Sequence, residues 1–498
     1  MNTGSMKLPP QPTESPMTTT TTCIAFREPT RAWVEERLRG LGCTQWQDLQ
    51  QWIKDKRHDR MKLIQEASVH FPQPMGGAQA TAPLSSISHY LTAERLQVAA
   101  QLLEEDTAAG FDGMKLPSFK KQTDFAKLAT KVRSRRYRTS PLRRVEIKKQ
   151  DGGIRPLGIP TVSDRVIQRA WLLILENAFD REFLDCSYGY RQGRGCHQAL
   201  SEIAKELGTR KHVYALDADF TKFFDRVDHT LLMKLVEKRV TDPVFLKFCW
   251  DTLKSPVSIK GKLQSVLMGT PQGGVLSPLL ANLFAHEALD LYYRNVVAPQ
   301  LSGWSRLFRY ADDFVVLTET AEDAELARTL IGDRVKEWGQ ELHPAKTHIR
   351  DLRCPGIHPI QGEEDDRSLL FLGYQIYWKQ RGGRWEVAGR TAPGRVEKAL
   401  EGWRKALEAI RAKAKHEGKA KATEALFWSI LCHVKGFGAY YCADGNHPEI
   451  QRYESGVYRE AAEFWRRYID RRGANPFSDT KERIWETIQM RAMCRLVN

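Results

Sequence analysis

The stretch Phe308-Arg309-Tyr310-Ala311-Asp312-Asp313-Phe314-Val315-Val316-Leu317 constrains the fold more than any other. Apolar, aromatic and β-branched residues flank a short polar centre, the composition of two strands joined by a tight turn. Asp suits such a turn because its short side chain bonds the local backbone. Two adjacent carboxylates also repel one another unless positive charge lies beside them. Magnesium would relieve that repulsion, being a hard cation that prefers carboxylate and phosphate oxygens. Taken alone, the pair is better read as a solvated turn. Its company in the chain decides otherwise.

Charge narrows the partner. Lys and Arg number 76 against 61 Asp and Glu, a formal charge of +15, and an excess of that size points to a polyanion, most simply nucleic acid. The 9 cysteines form no Cys-x-x-Cys pair, which speaks against a structural zinc site or disulfide framework and for a reducing cytoplasm. No apolar run is long enough to span a bilayer, and the N-terminus lacks the hydrophobic core of a secretory signal. A cytoplasmic protein with no membrane partner is expected.

Residues 1–25 are rich in Pro, Ser and Thr and read as disordered. Residues 26–95 read as a helical extension and linker. Val34, Leu38 and Leu41, then Trp46, Leu49, Trp52 and Ile53, recur at helical spacing, with the tryptophans read as core. Helical periodicity resumes over 91–105 and stops at the turn Gly110-Phe111-Asp112-Gly113. A basic segment follows, with Arg143, Arg144, Lys149 and Arg155 around a hairpin turn at Asp151-Gly152-Gly153. Phosphate is one partner for it, and a solvated basic face is the other reading. Helices are expected over 164–183 and 198–207, separated by a glycine-broken block carrying Arg191 and Arg194. Residues 213–220 alternate as a strand ending at Asp219, a carboxylate that is costly to bury unless paired or metal-bound. The loop Gly269-Thr270-Pro271-Gln272-Gly273-Gly274-Val275-Leu276-Ser277-Pro278 opens a helix over 279–291. Its glycines allow close approach to a ligand, and the helix N-terminus favours anions. A helix over 321–342 closes at His343-Pro344-Ala345-Lys346, and 371–376 reads as a strand. Long basic amphipathic helices follow over 396–415, 425–441 and 453–468.

Asp219, Asp312 and Asp313 together are the set that two-metal phosphoryl transfer requires, with carboxylates bridging two ions. At this point the chain resembles reverse transcriptases of the group II intron type, over about residues 108–441. The blocks that carry the resemblance stand in the family's order. They are Ala109-Gly110-Phe111-Asp112-Gly113, Ile154-Arg155-Pro156-Leu157-Gly158-Ile159-Pro160-Thr161, Ser187-Tyr188-Gly189-Tyr190-Arg191, Asp219 through Asp225, Gly269 through Pro278, Tyr310 through Asp313, and Phe371-Leu372-Gly373-Tyr374.

The resemblance implies an α+β right-hand polymerase. Fingers would span 96–200, a palm with an antiparallel sheet 201–376, and an α-helical thumb with C-terminal helices 377–498. It implies that Asp219, Asp312 and Asp313 hold two magnesium ions, and that Phe224 packs under the sugar and excludes a 2′-hydroxyl. Lys149, Arg155, Phe220, Gln272 and Lys346 would surround the nucleotide. Phe371, Leu372, Gly373 and Tyr374 would grip the primer, and Arg143, Arg144, Arg191 and Arg194 would meet the template. The implied partners are an RNA template, a DNA or RNA primer, dNTPs and a cognate structured RNA. The chain departs from the family in having no Cys/His endonuclease block of the HNH type. A non-catalytic maturase that folds an intron is the competing class, and an RNA polymerase is a third. Within the polymerase reading the enzyme is intron-encoded or free-standing, as in phage defence.

Overall fold

The computed structural model describes residues 83–468 apart from 105–106, 149–153, 260, 272, 359–366, 418, 442–446 and 465–466, together with 59 and 62–68. The expected disordered segment 1–25 and most of the 26–95 extension therefore lie outside the described residues.

Helices α1 (Ala93–Gln101), α2 (Leu116–Gln122) and α3 (Phe125–Arg133) come first. Thr92 and Asp124 cap α1 and α3 by accepting from the backbone N–H of Arg95 and Lys127. Between α1 and α2 the chain makes the expected turn, closed by Gly113 N–H on the Gly110 carbonyl. Strands β1 (Leu142–Lys148) and β2 (Ile154–Ile159) form the basic hairpin foreseen from the sequence. Pairing runs from Arg143 with Ile159 to Lys148 with Ile154. Helix α4 (Val162–Asp180) starts at Thr161, whose hydroxyl accepts from Asp164 N–H. It is buried along most of its length, with Trp171 wholly inside against Phe245, ring centroids 5.2 Å apart.

Helix α5 (Cys196–Arg210) leads into β3 (Tyr214–Ala218). Helices α6 (His229–Glu237) and α7 (Pro243–Leu253) follow, then the short strands β4 (Val257–Ile259) and β5 (Lys262–Gln264), which extend the first sheet to the order β2-β1-β4-β5. Helix α8 (Ser277–Ala285) continues into wider π-helical turns over His286–Asp290 and Tyr293–Val297, where a plain helix over 279–291 was expected. Such π turns are uncommon and cluster at functional sites.

Strands β6 (Ser305–Tyr310) and β7 (Asp313–Thr318), helix α9 (Ala321–Glu337) and β8 (His348–Asp351) complete the central antiparallel sheet in the order β6-β7-β3-β8. Its strands read as unbroken apolar runs because both faces are covered. Leu216, Ala218, Leu307, Phe314 and Val316 face the core built on α4 and α8. Their neighbours Ala215, Phe308, Val315 and Leu317 face a second core with α5 and the C-terminal helices. The period-two alternation of a strand sends consecutive residues to opposite cores. Helix α9 ends before the expected 342 because the chain beyond it is drawn into pairing with the end of β3. Thr221 N–H donates to the Glu341 carbonyl, Phe220 bridges Leu342, and His343 N–H donates to the Asp219 carbonyl.

The chain closes with the meander β9 (Ser368–Phe371), β10 (Tyr374–Arg381) and β11 (Arg384–Thr391), then α10 (Arg395–Glu417), α11 (Lys419–Tyr440) and α12 (His447–Phe464). The expected single strand over 371–376 is two strands. Phe371 pairs with Tyr374, so Leu372-Gly373 is the hairpin turn between them. Trp403, Tyr374 and Tyr453 are fully buried in this half.

Replacing Trp171 by Ala should destabilise the fold by about 3–5 kcal/mol in urea unfolding, the scale for emptying a large aromatic site. Trp171→Phe should be far milder, because the indole N–H is buried without a hydrogen bond in this fold. Equal losses for both would show that the site tolerates neither shape.

Candidate active site

The three sequence-selected carboxylates converge at one end of the central sheet. Tyr310 pairs with Asp313, which leaves Ala311-Asp312 as a two-residue turn, and Ala311 takes the positive φ of 58° that such turns require. On the neighbouring strand, Ala218 pairs with Phe314, so Asp219, one residue further, stands level with Asp313. Asp217, two residues back along β3, shares the face of Asp219. It was not singled out in the sequence, and Arg350 Nε holds it at 3.2 Å.

Charge crowding is visible in the acid–base properties. The Asp313 carboxyl is pushed up to about 7, by desolvation and by the nearby Asp312 and Asp219 charges, with Lys346 opposing. Water reaches Asp313, which is an exposed residue. Its desolvation is therefore partial, and we place more weight on the neighbouring anions. Lys346 Nζ donates to Asp219 Oδ2 at 2.6 Å, and that bond raises the lysine above its ordinary range. Lys346 is thus at the carboxylate cluster, as the sequence implied.

The donor set fits hard divalent cations. Carboxylates from two strand ends crowd together, with Lys346 beside them and the buried Arg309 guanidinium as a further positive neighbour of Asp312. Among the described residues no three His, Cys, Asp or Glu side chains form a ready-made metal cage.

Beneath the turn lies a residue the sequence reading passed over. Arg309 in β6 is fully buried. Its Nε and Nη2 each reach an Asp290 carboxylate oxygen at 2.7 Å. Nη1 donates to Asn282 Oδ1 at 2.9 Å and to the Ala311 carbonyl at 3.1 Å, and Nη2 also donates to Ser187 Oγ at 2.8 Å. Burial alone would raise the Asp290 carboxyl, but the Arg309 guanidinium holds it below its usual range. The signal was a cation inside an apolar strand, flanked by Phe308 and Tyr310. Asn282 Nδ2 in turn donates to the Gly189 carbonyl at 2.8 Å. Gly189 lies so close to the turn that a Cβ there would sit 2.6 Å from the Ala311 nitrogen.

The other sequence-selected residues divide. Phe224 is half-buried, and its carbonyl accepts from Thr270 N–H at 2.7 Å. The glycine-rich loop touches it through Gly269, whose φ is 91° and whose missing Cβ would lie 2.9 Å from the Phe224 carbonyl oxygen. Gln168 on α4 secures the same loop by accepting from Val275 N–H at 2.8 Å. Phe220 does not line a pocket: it is buried against Phe223 and Phe314, with centroids 5.0 and 5.5 Å away. Lys149 and Gln272 lie outside the described residues, as does the side chain of Arg155, whose backbone pairs with Ile147.

Arg191 is a correction. It is 8% exposed, with Nε 2.5 Å from Asp180 Oδ1 and its other nitrogens donating to the carbonyls of Asp180, Leu184 and Ser187. A guanidinium so buried, with four of its five donors committed, ties a loop together and is turned away from template. Arg194 is half-exposed, pairs with Asp185 and lies over the Tyr188 ring. Arg143 and Arg144 are neighbours on β1 and therefore point to opposite faces, so one cleft cannot take both. Arg144 lies 3.7 Å from Glu146. In the Phe371–Tyr374 block, Phe371 and Tyr374 are core residues, and only Leu372 and Gly373 approach the surface.

Arg309→Met would leave Asp290 charged and buried without its partner. Such losses run to about 3–5 kcal/mol, so its urea midpoint should fall sharply, and Arg309→Met with Asp290→Leu should recover part of it. A single variant as stable as the parent would show that the pair does not anchor the turn.

Residues 147–376 match the family model of reverse transcriptase (RNA-dependent DNA polymerase). The chain is similar to Protein YkfC of Escherichia coli (strain K12), 38% identical over 186 residues that make up 37% of this chain and 48% of that protein. It is 36% identical over 184 residues to the group II intron-encoded protein LtrA of Lactococcus lactis subsp. cremoris, covering 37% of this chain and 29% of LtrA. A probable RNA-directed DNA polymerase from transposon BS of Drosophila melanogaster is 27% identical over 178 residues, 33% of this chain and 19% of that protein. The matches thus span less than half the length of these curated relatives.

Proposed function

We propose that this chain is an RNA-directed DNA polymerase of the group II intron type, a reading supported by the reverse transcriptase family match over residues 147–376 and by the similarity to an intron-encoded protein. It extends a DNA or RNA primer on an RNA template with dNTPs. The observation that carries this reading is the meeting of Asp219, Asp312 and Asp313 at one sheet end, beside Lys346. In this reading residues 96–200 are the fingers, 201–376 the palm and 377–498 an α-helical thumb.

Asp219, Asp312 and Asp313 would hold two magnesium ions. When bound, those ions supply Lewis acidity and charge neutralisation toward the primer hydroxyl and the triphosphate. The protein's own part is positioning. Arg309 fixes the height and tilt of the Ala311-Asp312 turn, and a rigid carboxylate frame needs little reorganisation as charge develops. Phe224, held through its backbone by Gly269 and Thr270, would pack under the sugar and exclude a 2′-hydroxyl. Lys346 balances the carboxylates and supplies a cation next to the phosphates. On α10, Lys398, Lys405, Arg411 and Lys413 are exposed, and they offer the duplex backbone a salt-sensitive contact.

A second reading, RNA binding that promotes intron splicing, draws on the 36% identity to an intron-encoded protein. It does not require the carboxylates, so one substitution separates the two.

Asp312→Asn should reduce extension of a labelled DNA primer on RNA by at least about a hundredfold, the scale of losing one transition-state electrostatic contact, while RNA binding by filter retention stays near that of the parent. Full extension by this variant would remove the two-ion assignment. Phe224→Ala should raise ribonucleotide use relative to dNTPs by roughly ten- to a hundredfold, the scale set by a lost steric contact in a pocket. An unchanged ratio in single-nucleotide incorporation would end the role of Phe224 as a gate.

A further inference from the structure

The turn between β9 and β10 carries backbone strain that the polymerase reading leaves unexplained. Leu372 and Gly373 both have positive φ, 50° and 79°. A two-residue hairpin turn requires positive φ at both central residues, and leucine meets that demand at a cost that glycine does not bear. The end of α11 holds this turn. Tyr440 Oη donates to the Leu372 carbonyl at 2.8 Å. The carbonyl of Tyr440 accepts from the Tyr374 hydroxyl and sits 2.7 Å from His197 Nε2 on α5. Tyr441 closes the other side: a Cβ on Gly373 would lie 2.9 Å from its hydroxyl oxygen. On the strand side, Ala392 N–H donates to the Gly373 carbonyl at 2.9 Å.

The junction reaches the carboxylate site by a short path. Cys196, the first residue of α5, hydrogen-bonds the Tyr440 side chain and is an electrostatic neighbour of Tyr310, the residue that leads into the Ala311-Asp312 turn. One helix end therefore touches the strained turn, the start of α5 and the flank of the carboxylate hairpin. Tyr440 itself is 37% exposed. Its hydroxyl joins the carbonyl of a two-residue turn to the start of α5.

We infer that Tyr440 is a positioning residue whose hydroxyl fixes the Leu372-Gly373 turn against the primer terminus, so that the C-terminal helices set where the primer end lies relative to the carboxylates. The inference rests on the polymerase reading and adds to it a residue outside every block that carried the resemblance. Tyr440 touches neither nucleotide nor metal in this account. It acts through the turn.

The test is Tyr440→Phe in the full chain, which removes one oxygen and keeps the ring. Primer extension on an RNA template is measured with primer–template and dNTP varied in turn. Loss of the hydroxyl's bond to the turn, with its Cys196 contact, should raise KM for primer–template by roughly three- to tenfold, with KM for dNTP and kcat within about twofold. Tyr453→Phe is the control: that ring is buried in the same helical unit and stacks on Phe437, and its hydroxyl is not the one that bonds the Leu372 carbonyl. It should leave all three parameters unchanged. The inference fails if folded Tyr440→Phe has the parent's KM for primer–template, if the loss falls equally on dNTP, or if Tyr453→Phe reproduces it. Absence of extension by the parent chain itself would remove the polymerase reading, and this inference with it.

Discussion

A set of carboxylates cannot hold itself in place. Asp219, Asp312 and Asp313 repel one another, and any frame that keeps them together must resist that force until cations arrive. The frame here is the buried Arg309–Asp290 pair, bidentate at 2.7 Å on both oxygens and shielded from water at both ends. Removing two charges from water is expensive, and such a pair adds little net stability compared with apolar residues of similar volume. Its value lies in direction. A guanidinium is a planar fork, and this one has its remaining donors on Asn282, Ser187 and the Ala311 carbonyl. Two segments far apart in sequence, one at Ser187 and one running from Asn282 to Asp290, are thereby fixed to the turn that carries the carboxylates.

The π-helical turns after α8 belong to the same device. Asp290 falls within the turn over His286–Asp290, where the wider winding changes the direction of side chains relative to a regular helix. With Asn282 one part of the helix earlier, the segment offers Arg309 a carboxylate and an amide at once. Close backbone approach completes the frame. Gly189 lies against Ala311, and Gly269 against Phe224, each at a distance that a Cβ would not permit. The glycines matter here because they let one loop rest directly on another.

How much of this was legible in the sequence depended on whether a residue's role was local. The Tyr-Ala-Asp-Asp hairpin, the Asp219 strand end and the basic hairpin were readable, because period-two patterning and turn chemistry are written in adjacent residues. The α+β right-hand fold came with the family resemblance that those blocks carried. What escaped was set by distant partners. Arg191 looked like a cation free for phosphate, and only the positions of Asp180 and three carbonyls reveal that its donors are used. Phe220 and Phe224 are four residues apart and chemically alike, yet one is core and the other borders the loop. The Phe371–Tyr374 block read as a strand because its apolar residues suit one, and the positive φ at Leu372 cannot be seen in a leucine. Arg309 was visible as an anomaly, a charge inside an apolar strand, but its partner Asp290 lay in what read as an ordinary helix.

These misreadings share a physical cause, and it bears on how such a site works. Buried polar groups are costly unless satisfied, so each one requires a partner, and partners in a large α+β chain come from elsewhere in the sequence. The polar residues best satisfied are therefore those that hold others still. Arg191, Arg309 and Gln168 fall in this group, and Tyr440 extends it into the C-terminal helices. Asp312, Asp313 and Lys346 stand at the sheet end in front of this layer. A division of this kind lets the reacting carboxylates stay close despite their mutual repulsion, because the strain they impose is carried by the paired groups behind them.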